Sequence, residues 1–203
     1  MTLNVTPPVI LASGSSTRLK MLQNAGVKLD SMPAAIDEEA VKIALCQEGA
    51  APRETVDALA ELKSLSVSRL NPGALVIGSD QILVHDGKIL SKCSSLDEAR
   101  QTLSTLSDSM HTLMSAAVIS LDGRPVWRSL DAAKLTVRPL SDTFIVGYVA
   151  EAGEAILSSV GCYHYEGLGA QLFSAVEGDY YTILGMPLLP VLDFLRRYGV
   201  LAV

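Results

Sequence analysis

The chain has 203 residues, of which 49% are hydrophobic, 19% charged and 5% aromatic, and its 22 acidic side chains outnumber the 16 basic ones. A chain of this length buries roughly 70% of the surface that its unfolded form exposes, so it needs no disulfide or structural metal to hold a core, and intrinsic disorder is excluded. The net charge of −6 gives no basic field for a nucleic-acid polymer, whereas a small phosphate ligand needs only a few local cations.

The longest uncharged apolar-looking stretches, residues 109–121 and 180–192, fall short of the ~20 residues of a membrane span and contain polar residues or prolines, so no membrane helix is expected. Residues 1–13 carry no Lys or Arg ahead of their short apolar run and therefore lack the n-region of a secretory signal, which places the protein in the cytosol. Cys46, Cys93 and Cys162 are widely separated and form no CxxC pair, so they are expected to be free buried thiols without zinc or redox chemistry. No repeat or linker divides the chain, which reads as one domain over 1–203.

In chain order, the apolar run 8–12 is of strand type, the small residues 13–17 break it, and a helix starts at Arg18 and closes near Gly26. Segments 36–51 and 53–70 follow, the second with apolar side chains at Val56, Leu59, Ala60, Leu62, Leu65, Val67 and Leu70, a helical spacing from which Lys63 leaves on a side of its own. Residues 74–78 (ALVIG) form a buried strand that delivers Ser79-Asp80-Gln81 into a loop at its C-terminal end, before a second strand and a turn at 85–88. A helix is expected over 96–106, strands over 111–121 and 125–139 around a turn at 121–124, and a short helix over 141–150 capped by Ser141. A glycine-rich and then β-like stretch covers 161–175, and a helix over 188–198 ends the chain. Helices and strands alternate, so the class is α/β.

Three groups of residues suggest chemistry. A strand that feeds Ser13, Gly14 and Ser15 into a helix start leaves backbone N–H groups pointing outward with the positive end of the helix dipole, and Arg18 adds donors, which suits a phosphate; the same residues also suit a simple N-cap. Asp80 after its apolar strand, with Glu38 upstream, suits a hard cation beside substrate phosphates or a base that takes a proton from water, against the alternative of a turn-forming Asp and a solvated helix start. Lys63 and Lys92 supply point charges suited to phosphate, against the alternative of solvated surface lysines.

The ordered set Ile10-Leu11-Ala12-Ser13-Gly14-Ser15 with Arg18, Asp37-Glu38, Lys63, Gly78-Ser79-Asp80-Gln81, Lys92, Gly161, Glu166-Gly167-Leu168-Gly169, Gly178-Asp179-Tyr180 and Gly185-Met186-Pro187-Leu188 resembles the Maf family of nucleoside triphosphate pyrophosphatases, from about residue 8 to 198. The resemblance implies a mixed twisted sheet flanked by helices, of the kind shared with inosine triphosphatases, with a cleft between two lobes. It also implies a hydrolase that cuts between the α- and β-phosphates of a small-molecule nucleoside triphosphate with a divalent cation, Mg²⁺, Mn²⁺ or Co²⁺, and homodimerisation. In that scheme Asp80 is the catalytic base with Lys63 beside it, Glu38 and Asp80 hold the metal, and Ser13, Ser15, Arg18, Lys63 and Lys92 line the phosphates.

Subgroups of the family differ at three places, here Thr17, Gln81 and Glu166, and the pair Gln81 and Glu166 resembles the branch that hydrolyses 7-methyl-GTP. A carboxylate accepts the two hydrogen bonds that guanine N1–H and N2 offer, whereas uracil or thymine presents one donor between two carbonyls. The loop departs from the family pattern, because Ser15-Ser16-Thr17-Arg18-Leu19 lacks the proline, one arginine and the tryptophan of the methyl-GTP branch, and Cys93 stands where a proline usually follows the lysine. Thr17 offers no aromatic face to a cationic base. Trp127 is expected to pack in the core, and His85, His111 and His164 to be strand, turn or loop residues. Competing readings are a dTTP or UTP pyrophosphatase of the same family, a nucleotide-binding regulator of cell division that has lost hydrolysis, and a sugar-phosphate nucleotidyltransferase, whose Gly-rich start the segment 10–19 also resembles.

Overall fold

In a computed structural model, residues 6–203 are described; part of the segment read as lacking a signal sequence, residues 1–5, lies outside them. Among the described residues no helix is long and apolar enough to cross a membrane. The strands are β1 (Val9–Leu11), β2 (Asp30–Ser31), β3 (Leu75–His85), β4 (Lys88–Leu90), β5 (Met110–Leu121), β6 (Arg124–Val137) and β7 (Phe173–Glu177). They form a mixed sheet in the order β2-β1-β3-β5-β6-β7, with β4 on β3. The helices are α1 (Ser16–Asn24), α2 (Glu38–Gln47), α3 (Pro52–Ser68), α4 (Leu96–Leu106), α5 (Asp142–Ala152), α6 (Tyr180–Ile183) and α7 (Leu188–Arg197).

The chain divides into two compact units, one of Met1–Asp80, Ser115–Asp131 and Gly185–Val203, the other of Gln81–Met114 and Ala132–Leu184. In the first, β1 pairs in parallel with both β2 and β3, and Ile10, Ala12, Val67, Ala74 and Val76 pack into one buried cluster. In the second, β4 runs antiparallel to β3 and β7 antiparallel to β6. Its core is built on Leu83, Leu103, Leu113, Leu135, Val149 and Leu172, with Tyr148 and Tyr163.

Local chemistry explains where the elements begin. Ser15, Asp37, Ser95, Ser141 and Asp179 cap α1, α2, α4, α5 and α6, each side chain accepting a backbone N–H of the first turn. Pro52 opens α3, and Glu54 Oε2 accepts the Ala51 N–H at 2.8 Å. The turns at Asp86-Gly87 and Asp122-Gly123 have positive φ at both central residues, the conformation that matches the twist of a two-residue hairpin.

Three expectations are corrected. The strand read over 74–78 does not run out into a loop, because Ile82, Leu83 and Val84 continue the apolar pattern and β3 carries on to His85, which puts Asp80 inside the strand. Lys63 does not leave α3 on a side of its own: with Val56, Leu59, Ala60, Ser64 and Val67 it lies on the buried stripe spaced i, i+3, i+4, i+7, i+8 and i+11. Of the three thiols expected to be buried only Cys162 is: Cys93 is half-buried, and Cys46 is exposed because α2 buries only Lys42. Trp127 is half-buried on β6, its ring centroid 5.5 Å from that of Phe194.

Candidate active site

A glycine makes the central contact possible. Gly78 and Asp80 share one face of β3, the face toward α3, because side chains alternate along a strand. A Cβ on Gly78 would lie 2.2 Å from the Ala60 carbonyl oxygen and 2.5 Å from the Ser64 nitrogen. Only glycine allows helix and strand to approach this closely, and the approach sets Lys63 against Asp80. Lys63 Nζ donates to Asp80 Oδ1 at 2.6 Å and lies 2.8 Å from Glu38 Oε1 at the start of α2. Lys63 is 5% and Asp80 4% exposed, so neither is the solvated lysine or turn-forming aspartate of the alternative reading.

The second carboxylate oxygen, Asp80 Oδ2, is buried and has no hydrogen-bond partner among the described residues. A buried anionic oxygen without a donor costs upward of about 1–3 kcal/mol, a cost that persists where the oxygen has something further to bind. Among the described residues no group of three or more His, Cys, Asp or Glu could hold a metal ion by itself. Asp80 and Glu38, which share Lys63 Nζ, each offer hard carboxylate oxygens, the donor type suited to a divalent cation.

The loop before α1 is tied to the same unit. Ser13 Oγ accepts the Ser15 N–H at 3.2 Å, and Ser15 Oγ accepts the Arg18 N–H at 3.3 Å, so both hydroxyls serve the helix start. Arg18 is buried, with Nε donating to the Gly185 carbonyl at 2.8 Å and Nη1 to the Ser79 carbonyl at 3.0 Å and to Ser13 Oγ at 3.3 Å. Much of its guanidinium thus clamps the backbone carbonyls of Ser79, next to Asp80, and of Gly185, while Nη2 makes none of these contacts. Burial lowers its pKa, against the opposing fields of Asp80 and Glu38. Ser79 Oγ also donates to the Gly185 carbonyl, at 3.1 Å, so Gly185 anchors both groups. Thr17 is half-buried on α1.

The remaining candidates lie in the second unit. Gln81 Nε2 donates to the carbonyls of Thr182 and Ile183, each at 3.0 Å, which fixes its side chain to α6. The Tyr180 ring on α6 stands 6.2 Å from that of Tyr165, and Tyr165 directly precedes the exposed Glu166. Lys92 is exposed between β4 and α4. Arg18, Glu38, Lys63 and Asp80 are thus brought together in one unit, and Gln81 is linked through α6 and Tyr165 to the neighbourhood of Glu166 in the other. Sequence reading quoted Gly78, Ser79 and Gly185 in the family motif but gave them no part in positioning this chemistry; a glycine in an apolar strand was the available signal for the first.

Residues 8–198 match the family described as Maf-like protein. The chain belongs to the Maf family. A relative from Caulobacter vibrioides named nucleoside triphosphate pyrophosphatase is 51% identical over 196 residues, 97% of this chain and 98% of its own length. One of the same name from Paramagnetospirillum magneticum is 50% identical over 94% of this chain and 98% of its own length. A relative from Brucella abortus named 7-methyl-GTP pyrophosphatase is 44% identical over 193 residues, 95% of this chain and 97% of its own length. These Maf relatives match over nearly the whole chain, so both units fall within the similarity.

Proposed function

We propose that this Maf-family chain is a nucleoside triphosphate pyrophosphatase that cleaves the bond between the α- and β-phosphates, and that its substrate is a modified purine nucleotide, 7-methyl-GTP. The observation that carries the reaction class is the buried Lys63–Asp80 pair, with half-buried Glu38 on the same ammonium and Asp80 Oδ2 without a partner among the described residues, in a chain half identical to relatives named for that activity.

Hydrolysis requires a water to lose a proton as its oxygen bonds to phosphorus, and the bridging oxygen to leave with pyrophosphate. Asp80 Oδ2 is the acceptor for that proton, because Oδ1 is engaged by Lys63. Lys63 holds the carboxylate in one orientation and places a positive charge beside the reacting phosphate, where positioning and charge neutralisation supply most of the acceleration. Asp80 and Glu38 would also hold a divalent cation, Mg²⁺, Mn²⁺ or Co²⁺, and their hard oxygens fit it. Such an ion, when bound, neutralises charge on phosphoryl oxygens and lowers the pKa of water. The Ser13–Arg18 loop offers the N-terminal end of α1 and Arg18 Nη2 to phosphate, and Lys92 adds a further cation.

For the base, Glu166 accepts from a guanine edge, and Gln81 is held by α6 rather than free to rotate. The relative named 7-methyl-GTP pyrophosphatase supports this choice at 44% identity. The test is pyrophosphate release in the presence of Mg²⁺, Mn²⁺ or Co²⁺ over 7-methyl-GTP, GTP, UTP, dTTP and CTP. Fastest cleavage of 7-methyl-GTP is expected. Preference for a pyrimidine would overturn the base assignment and leave the reaction class, and no turnover with retained nucleotide binding would favour the regulator.

A further inference from the structure

Cys93 and Cys162 are separated by 69 positions in the chain, yet their Sγ atoms lie 3.1 Å apart within one unit. The bond length of a disulfide is about 2.05 Å, so an approach of ~1 Å would join them. The two thiols differ in access. Cys162 is fully buried, and burial together with the neighbouring Cys93 pushes its pKa well up, so it stays protonated and inert alone. Cys93 is half-buried at the segment leading into α4, its Sγ 3.2 Å from Thr102 Oγ1. Cys162 also holds a φ of +56°, which a residue with a Cβ rarely adopts. A reachable thiol against a buried partner is the arrangement of a cysteine that is oxidised first and a cysteine that resolves it.

We propose that Cys93 and Cys162 form a reversible intramolecular disulfide on exposure to a peroxide, and that the closed bond restrains the adjacent Lys92 and weakens nucleotide binding. In the first step Cys93 sulfur attacks a peroxide oxygen: an S–O bond forms, the O–O bond breaks, and the departing oxygen leaves as alcohol or water with the thiol proton. Cys93 is then a sulfenic acid. In the second, Cys162 sulfur attacks Cys93 sulfur: the S–S bond forms, the S–O bond breaks, and hydroxide leaves as water with the Cys162 proton. The peroxide is reduced and the two thiols are oxidised by two electrons in all. The bond itself rests only on the sulfur geometry, whereas the effect on binding rests on the phosphate role of Lys92 under Proposed function. Cys46, exposed and alone on α2, is the internal control.

The test treats the fully reduced, full-length protein with hydrogen peroxide, blocks remaining thiols with N-ethylmaleimide under denaturing conditions, and reads intact mass and peptide linkage. Loss of two hydrogen atoms, a Cys93–Cys162 linked peptide, and reversal by dithiothreitol are expected. The oxidised protein should show KM for the nucleoside triphosphate raised about tenfold, a weakened charged contact to phosphate, with kcat changed less, and Cys93→Ser should show neither the link nor the KM change. Sulfinic acid at Cys93 with Cys162 still alkylated would overturn the pairing. A linked pair with unchanged KM would overturn the effect through Lys92. Because linkage is read by mass, it is decided even if no substrate is turned over.

Discussion

The two units bury different kinds of polarity. The first buries charge: Arg18, Lys63 and Asp80 are each less than a tenth exposed and are held by one another or by backbone carbonyls. The second buries neutral groups: His111 Nε2 meets Tyr163 Oη at 2.7 Å, Tyr148 Oη donates to the Cys162 carbonyl at 3.3 Å, and two thiols touch. In the second unit burial pushes His111 down to about 4 and Tyr148 up to about 12, so each stays uncharged at neutral pH. The difference teaches where chemistry on phosphates belongs. A core of neutral polar groups holds a fold together, whereas a buried carboxylate among buried cations suits the charged ligand proposed above.

The contrast can be broken from either side. Lys63→Met would remove the cation from between two carboxylates and leave Asp80 as an uncompensated buried charge, so a loss of about 3–5 kcal/mol in unfolding free energy is expected, with turnover lost as well. Denaturant unfolding checks it, and an unchanged midpoint would mean that the pair carries no stability. In the second unit the expected effect is a pH dependence. From its ordinary value of 6.5 down to about 4, the unfolded His111 binds a proton that the folded one does not, so stability falls as pH drops through this window. The loss amounts to about 3 kcal/mol by pH 4. His111→Phe should remove that slope, and a slope identical to that of the unsubstituted protein would contradict the assignment.

Gly78→Ala would drive a Cβ into the backbone of α3 and push Lys63 from Asp80, with a cost of about 1–3 kcal/mol and a drop in kcat larger than any change in KM. A fully active, equally stable variant would show that the close approach is not required. The smallest effects are in specificity. Glu166→Gln should shift the ratio of kcat/KM toward UTP and dTTP, and Thr17→Trp should raise activity on 7-methyl-GTP by the worth of one cation–π contact, about 0.5–2 kcal/mol. Competition assays with mixed substrates measure both, and an unchanged ratio would separate these positions from base reading.

Much of this was legible in the sequence, for reasons that particular residues make plain. The helix 96–106 and the cap at Ser141 follow from periodicity and capping chemistry, which act over a few residues. Asp80 stood out because it follows an apolar strand directly, and Lys63 because the family motif includes it. Their contact was not readable, since it depends on how closely α3 approaches β3, a distance fixed by the missing side chain of Gly78. Lys63 was misjudged on its face because a charged residue on a buried stripe contradicts amphipathic patterning unless a buried partner exists. Arg18 was read as a phosphate donor, and its engagement by the carbonyls of Ser79 and Gly185 could not be foreseen from residues so far apart in the chain. The short elements β2 and α6 carry too few residues to show a period.

The central claim is that Asp80 performs the chemistry while the surrounding cations hold the phosphates. Its most direct test is Asp80→Asn, compared with the unsubstituted protein for pyrophosphate release from 7-methyl-GTP and for nucleotide affinity by calorimetry. The account predicts that turnover falls by about 10²–10⁴-fold, the contribution of a positioned general base, while the fold persists and the affinity is retained. Turnover at the original rate with a correctly folded variant would contradict it and remove Asp80 from the mechanism.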